Sequence, residues 1–204
     1  MNNLAYNSRN PQEVGPKVEE LIRKEFGAAG AVPYSVADGE AYTIGAALKT
    51  ALVGGQLHSL FQLNFELPPP RPGRLEVSMD EMGVGCFAGS TVYSAKLSKP
   101  VSSEVSLEGR AGLFGKAKFA GDQAASAKLN ANGDLVKLAT KVARTESTFG
   151  GRKLIRERLF KLVPDGNGCV LIIGSLPRTT SAGFSATVDS KDFFELTALI
   201  ERAL

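Results

Sequence analysis

Phe61-Gln62-Leu63-Asn64-Phe65-Glu66-Leu67 and Leu75-Glu76-Val77-Ser78-Met79-Asp80 are the two stretches on which the fold turns. Apolar and polar residues alternate in both. Successive side chains of a strand point to opposite faces, so each stretch makes one apolar and one polar face. That is the pattern of an antiparallel sheet with one solvated side; parallel strands covered on both faces read as unbroken apolar runs. Thr91–Leu97, Glu104–Glu108, Leu113–Phe119 and Ser181–Val188 alternate in the same way. Pro68-Pro69-Pro70-Arg71-Pro72 separates the first two strands and reads as a stiff spacer, with a polyproline II ligand as the competing reading.

Helical spacing appears on either side of these strands. Pro16–Phe26 has Val18, Leu21, Ile22 and Phe26 on one face, proline at the first helical position and Gly27 past the end. Glu19 with Arg23 and Glu20 with Lys24 form acid-before-base pairs four apart. A helix capped by Asp122 runs to about Leu129. A second starts near Asp134, carries Leu135, Leu138, Ala139 and Val142, and ends in basic residues up to Arg144. A last helix, capped by Asp189 or Ser190, faces inward through Phe193, Leu196, Ile200 and Ala203. Ala28–Gly55 is rich in Gly and Ala, and Tyr42–Leu52 fits a short helix or a strand.

Arg152–Val163 also fits both periods. As a strand it puts Leu154, Arg156, Arg158, Phe160 and Leu162 on one side; as a helix it leaves a basic outer face. The turn-forming run Pro164-Asp165-Gly166-Asn167-Gly168 and the apolar stretch Cys169–Ser175 after it favour a hairpin. The element order therefore predicts an α+β fold, a mainly antiparallel sheet with amphipathic helices on one face. Residues 1–10 are expected as a disordered lead-in and residues 11–204 as one α+β domain, with Arg110–Asp122 the place for a seam between two subdomains.

Composition bounds the function. The chain has 204 residues, 43% of them apolar and 22% charged, which suits a globular protein. Two cysteines point to a reducing compartment, and the expectation is a soluble cytoplasmic protein. The best membrane candidate, Ala41–Leu60, is broken by Lys49, Gln56, His58 and three glycines, so no transmembrane segment is predicted.

Motifs with catalytic or cofactor meaning do not hold up. Gly83-Val84-Gly85-Cys86-Phe87-Ala88 fits a loose dinucleotide fingerprint, but no convincing helix follows it. Gly115-Lys116 ends like a P-loop, yet Ala117 stands where a magnesium-binding hydroxyl is needed. His58 is the only histidine; its pairing with Cys86 is chemically feasible but nothing in the spacing requires it. Cys169 reads as a small buried side chain. Two cysteines and one histidine so far apart make no zinc site, and Asp165 with Asn167 reads as a turn rather than a calcium loop. Phe87-Ala88-Gly89 with Ser94–Leu97 repeats as Phe119-Ala120-Gly121 with Ser126–Leu129, and is read as coincidence. No catalytic residue, metal ligand or cofactor is assigned.

One outward-facing feature remains. Arg110–Lys161 holds twelve Lys or Arg against four Asp or Glu, +8 in a chain whose net charge is +3. A solvated surface explains many such runs. The functional reading is a binding or interaction domain, ahead of an enzyme, that contacts an anionic partner through Lys137, Lys141, Arg144, Arg152, Arg156 and Arg158. Neither a stacking series of aromatics nor a nucleic-acid motif accompanies these cations, which puts nucleic acid behind an acidic protein partner. The alternative is a carrier that holds a lipid or other apolar molecule between Phe61, Phe65, Phe193 and Leu196.

Overall fold

The structure, a computed structural model, describes residues 2–5, 11–26, 31–33, 58–67, 73–81, 87–109, 117–149, 152–175, 178–180, 185–188 and 190–204. The fold is α+β, with antiparallel sheet and amphipathic helices. Two compact units divide the chain: residues 1–93 with 174–190, and residues 94–173 with 191–204. Arg110–Asp122, expected as a seam, falls inside the second unit.

In the first unit, strands β2 (Ala31–Pro33), β3 (His58–Leu67), β4 (Gly73–Glu81) and the start of β5 (Phe87–Leu97) lie side by side in that order. The register of β3 on β4 follows the alternation. Phe61 lies opposite Met79, Leu63 opposite Val77 and Phe65 opposite Leu75. On the other face Gln62 meets Ser78, Asn64 meets Glu76 and Glu66 meets Arg74. The last pair is an ion pair at 2.9 Å. The polar face is not wholly solvated, because Glu76 is buried. β11 (Arg178–Thr180) pairs with the first residues of β5.

Residues 1–10 are not wholly a loose lead-in. Asn2–Ala5 form β1, antiparallel to β12 (Ser185–Val188), with Asn2 opposite Val188. Helix α1 (Pro11–Phe26) begins five residues earlier than the sequence suggests. The proline rule applies to Pro11, which occupies the first helical position, while Pro16 lies inside the helix and lacks the N–H that would bond the carbonyl of residue 12. Val18, Ile22 and Phe26 are buried, but Leu21, expected on the same face, is exposed. Arg23 holds Glu19 through Nε at 3.0 Å.

In the second unit the strand order is β5, β10 (Gly168–Ser175), β9 (Arg152–Asp165), β6 (Val105–Glu108) and β7 (Lys118–Gly121). Arg152–Val163 is strand, as favoured, and Gly166-Asn167 form the turn to β10. Gly166 takes φ +57° while Asn167 does not have positive φ, the sign pattern of a type II′ turn with glycine first. Helices α2 (Gln123–Ala131), α3 (Gly133–Ala143) and α4 (Ser190–Ala203) complete the unit.

The helices start where the sequence supplies caps. Asp122 accepts from Ala125 N at 2.9 Å, and Asn132 Oδ1 accepts from Leu135 N at 3.1 Å. Asn132 also donates its own N–H to Leu129 O, so one residue ends α2 and opens α3. α2 packs on β7 and α3 on β9. Lys141 of α3 bonds Asp192 of α4, and Lys128 of α2 donates to Leu204 O, which gathers the three helices together. Leu129, Leu135, Ala139, Phe193, Leu196 and Ile200 are buried beneath them; Ala203, expected with that row, is only partly covered.

Two strands depart from the one-solvated-face pattern. Five consecutive residues of β5, Thr91–Ala95, are buried, and so are Leu171, Ile172 and Ile173 of β10. Both strands are interior to the strand order and covered on both sides, which local alternation does not reveal. The repeated Phe-Ala-Gly segments also differ: the first runs entirely within β5, and the second spans β7, a turn and α2. Tyr42–Leu52, Pro68–Pro72 and Leu113–Lys116 lie outside the described residues.

Candidate functional site: the β8–β9 hairpin

The basic region centres on an element that the sequence reading missed. Helix α3 stops at Ala143, and Arg144, expected at its basic end, is the first residue of β8 (Arg144–Phe149). A period-two signal was available in Thr145, Ser147 and Phe149, followed by Gly150-Gly151, but it was masked by the helical spacing before it. Strand β8 pairs antiparallel with β9 through six consecutive residue pairs without a register shift.

This register separates the candidate residues. Arg144 lies opposite Glu157, Glu146 opposite Ile155 and Thr148 opposite Lys153. These pairs mix the two signs of charge. The alternate pairs are Thr145 with Arg156, Ser147 with Leu154 and Phe149 with Arg152. There the arginines have no acidic residue across the ladder. Arg158 shares the parity of Arg152 and Arg156, and so do Phe160 and Leu162, which are buried. A row of β9 positions that is core at Phe160 and Leu162 thus becomes cationic towards Arg152.

The other two candidates stand apart on α3. Lys137 Nζ is 3.3 Å from Asp134 Oδ1, a pair one helical turn apart at the surface. Lys141 Nζ reaches Asp192 Oδ2 at 2.6 Å and Oδ1 at 2.9 Å. Lys161, the last residue of the basic stretch, is bonded to Glu104 at 2.7 Å. The six predicted residues therefore comprise a β9 row of three arginines, Arg144 on the opposite parity, and two lysines that each have an acid in range.

The chemistry-dependent readings fall partly on residues outside those described. The dinucleotide fingerprint needs a helix after its glycines, but Phe87 onward is strand β5; Gly83–Cys86 itself lies outside the described residues. His58 is the first residue of β3, opposite Glu81. Cys86 lies outside the described residues. Cys169 is buried, and burial, with the Glu201 carboxylate adding to it, pushes its thiol up to about 11, which suppresses the reactive thiolate. Asp165 flanks a hairpin turn and pairs with Lys96 at 3.2 Å. Among the described residues there is no group of three His, Cys, Asp or Glu able to hold a metal ion. Phe65 belongs to the first unit and Phe193 and Leu196 to the second.

A second polar cluster, also missed, is Asp122 with the loop before β6. Its Oδ2 accepts from Ser102 N at 2.6 Å, Ser102 Oγ at 2.5 Å and Ser103 N at 3.2 Å, while Oδ1 caps α2. These donors hold the carboxyl far below the ordinary carboxylate range, the Ala125 N–H first among them, against the opposing effect of burial. All of these bonds are internal, which marks a structural clamp. Close by, Gly121 has φ +112° and a Cβ there would lie 2.0 Å from Glu104 O, so only glycine fits.

No family model, curated protein or solved structure matches this chain. Among the described residues no helix is long and apolar enough to cross a membrane.

Proposed function

We propose that this protein is a non-catalytic binding domain that engages an anionic partner through the β8–β9 hairpin. The observation carrying this reading is the charge of that hairpin. Arg144–Arg158 contains five cations against two anions, a balance of +3, equal to that of the entire chain. The hairpin supplies +3 of the +8 carried by Arg110–Lys161, so the attraction of the chain for an anion is greatest in this region. Arg152, Arg156 and Arg158 are the principal contacts, since their row has no acidic residue opposite it in β8. Arg144 contributes from the opposite parity beside Glu157, and Lys137 and Lys141 add to the field from α3. Sparse cysteine and the burial of Cys169 suit a reducing, cytoplasmic setting.

The test uses fluorescein-labelled poly-glutamate and the triple variant R152E/R156E/R158E. The native protein is expected to bind with an affinity that falls as salt rises, and the variant to bind at least about tenfold more weakly with a flatter salt dependence. Equal binding by both proteins removes this reading. Circular dichroism of the variant establishes that the fold is retained.

A further inference from the structure

We infer that the edge of β8 that no described strand covers is a docking site for an acidic, extended peptide segment that adds to the sheet as a further strand. This rests on the anionic-partner reading and names the kind of partner. Among the described residues β8 pairs only with β9, so one side of its backbone is not engaged by a neighbouring strand. Its six residues span about 20 Å of regular, bulge-free backbone, enough for several ladder hydrogen bonds. Arg144–Phe149 contains no proline and no lysine, two residues with which natural sheets commonly block an edge.

The contrast with β7 sharpens the point. β7 ends the strand order in the second unit, and there the Asn130 side chain bonds both the N–H and the C=O of Phe119. That edge is closed by a dedicated amide. Among the described strands β8 pairs with β9 alone.

Charge selects the occupant. A second copy of this chain would bring one +3 hairpin against another, which is repulsive. An acidic segment is attracted instead. Its backbone would lie two strand spacings, about 10 Å, from β9. The β8 positions between it and the arginine row at Arg156 and Leu154 are Thr145 and Ser147, both small. Carboxylates on alternate residues of the added strand match the period of Arg152, Arg156 and Arg158, while its amides complete the ladder. Main-chain bonds supply affinity and the arginines supply the preference for acid.

The experiment titrates the intact protein into a fluorescein-labelled peptide of about eight alternating Glu and Val residues, long enough to cover β8. Two further peptides carry N-methyl groups on the odd or the even residues, which remove backbone donors and keep every charge. The expected result is that the parent peptide binds, that at least one methylated peptide binds about tenfold or more weakly, and that R152E/R156E/R158E weakens the parent. Equal binding of all three peptides overturns strand addition and leaves the anionic-partner reading in place. Binding of inorganic polyphosphate without binding of the parent peptide also overturns it, in favour of a phosphate polyanion. Failure of peptide, poly-glutamate and polyphosphate alike removes both proposals.

Discussion

The side-chain amide of Asn130 pairs with the backbone of Phe119 in both directions, accepting from its N–H and donating to its C=O, each at 2.8 Å. A residue near the end of α2 thereby takes the place of a neighbouring strand at the outer edge of β7. Asn130→Ala leaves both groups of Phe119 without this partner in a half-buried site, and the expected loss is about 1–3 kcal/mol. Urea unfolding measures it, and exchange of the Phe119 amide proton should accelerate. An unchanged exchange rate would show that the helix alone protects this edge.

Asp122 makes the protein sensitive to acid. Its folded-state pKa is depressed by the Ala125, Ser102 and Ser103 donors, so its contribution is fully present above the unfolded value of about 4. The contribution is lost progressively as pH falls below that value towards the lower folded one. Asp122→Asn should therefore reduce stability at neutral pH and flatten the decline below about pH 4. Capping data suggest a loss of about 1–2 kcal/mol for Asp122→Ala. Tm measured across pH for native protein and both variants decides this.

Lys141 and Asp192 join α3 to α4, with the lysine half exposed and the aspartate buried. Partial exposure limits the value of the pair, and a double-mutant cycle with Lys141→Met and Asp192→Asn should give a coupling of about 0.5–1 kcal/mol. The coupling should shrink as salt is added. A coupling independent of salt would mean that packing, not charge, joins the helices.

Cys169 should be inert in the folded protein. It is buried and its thiol is raised to about 11, so alkylation by iodoacetamide at pH 8 should be slow in buffer and fast in urea. Intact-mass measurement on a Cys86→Ser background isolates the site. Rapid labelling under native conditions would contradict the burial of the start of β10.

Gly121→Ala tests the tight passage from β7 into α2. A Cβ there meets Glu104 O at 2.0 Å and the backbone has φ +112°, so two independent penalties combine. The expected loss exceeds the roughly 1 kcal/mol typical of an ordinary point substitution. Gly133→Ala, where nothing lies within 4 Å of the added carbon, is the control and should be neutral or mildly stabilising.

Legibility in the sequence followed the range of the interactions. The alternation of Phe61–Leu67 and Leu75–Asp80 was readable because successive residues of a strand face opposite ways, whereas their pairing with each other came from the structure. The helix from Asp122 was readable because a cap is chosen by residues next door, while the cap of the following helix, Asn132, came from the structure. The start of α1 was misplaced because two prolines, Pro11 and Pro16, satisfy the same local rule. Strand β8 was hidden because Arg144 continues the basic end of α3 as plausibly as it opens a strand. The basic candidates were visible as charges, while their division into a β9 row, a position beside Glu157 and two lysines near acids was not.

By itself the sequence determined the α+β class, the alternating strands, the Asp122 helix cap and the regional excess of cations, since each depends on residue type over a span of a few positions. Only the tertiary structure decided that β5 and β10 are covered on both faces, that Asn130 closes the β7 edge, and that Arg144 stands across from Glu157 while Arg152 and Arg156 stand across from Phe149 and Thr145. The reason is physical: periodicity says which residues share a face, but burial and register depend on which distant segment comes to lie alongside.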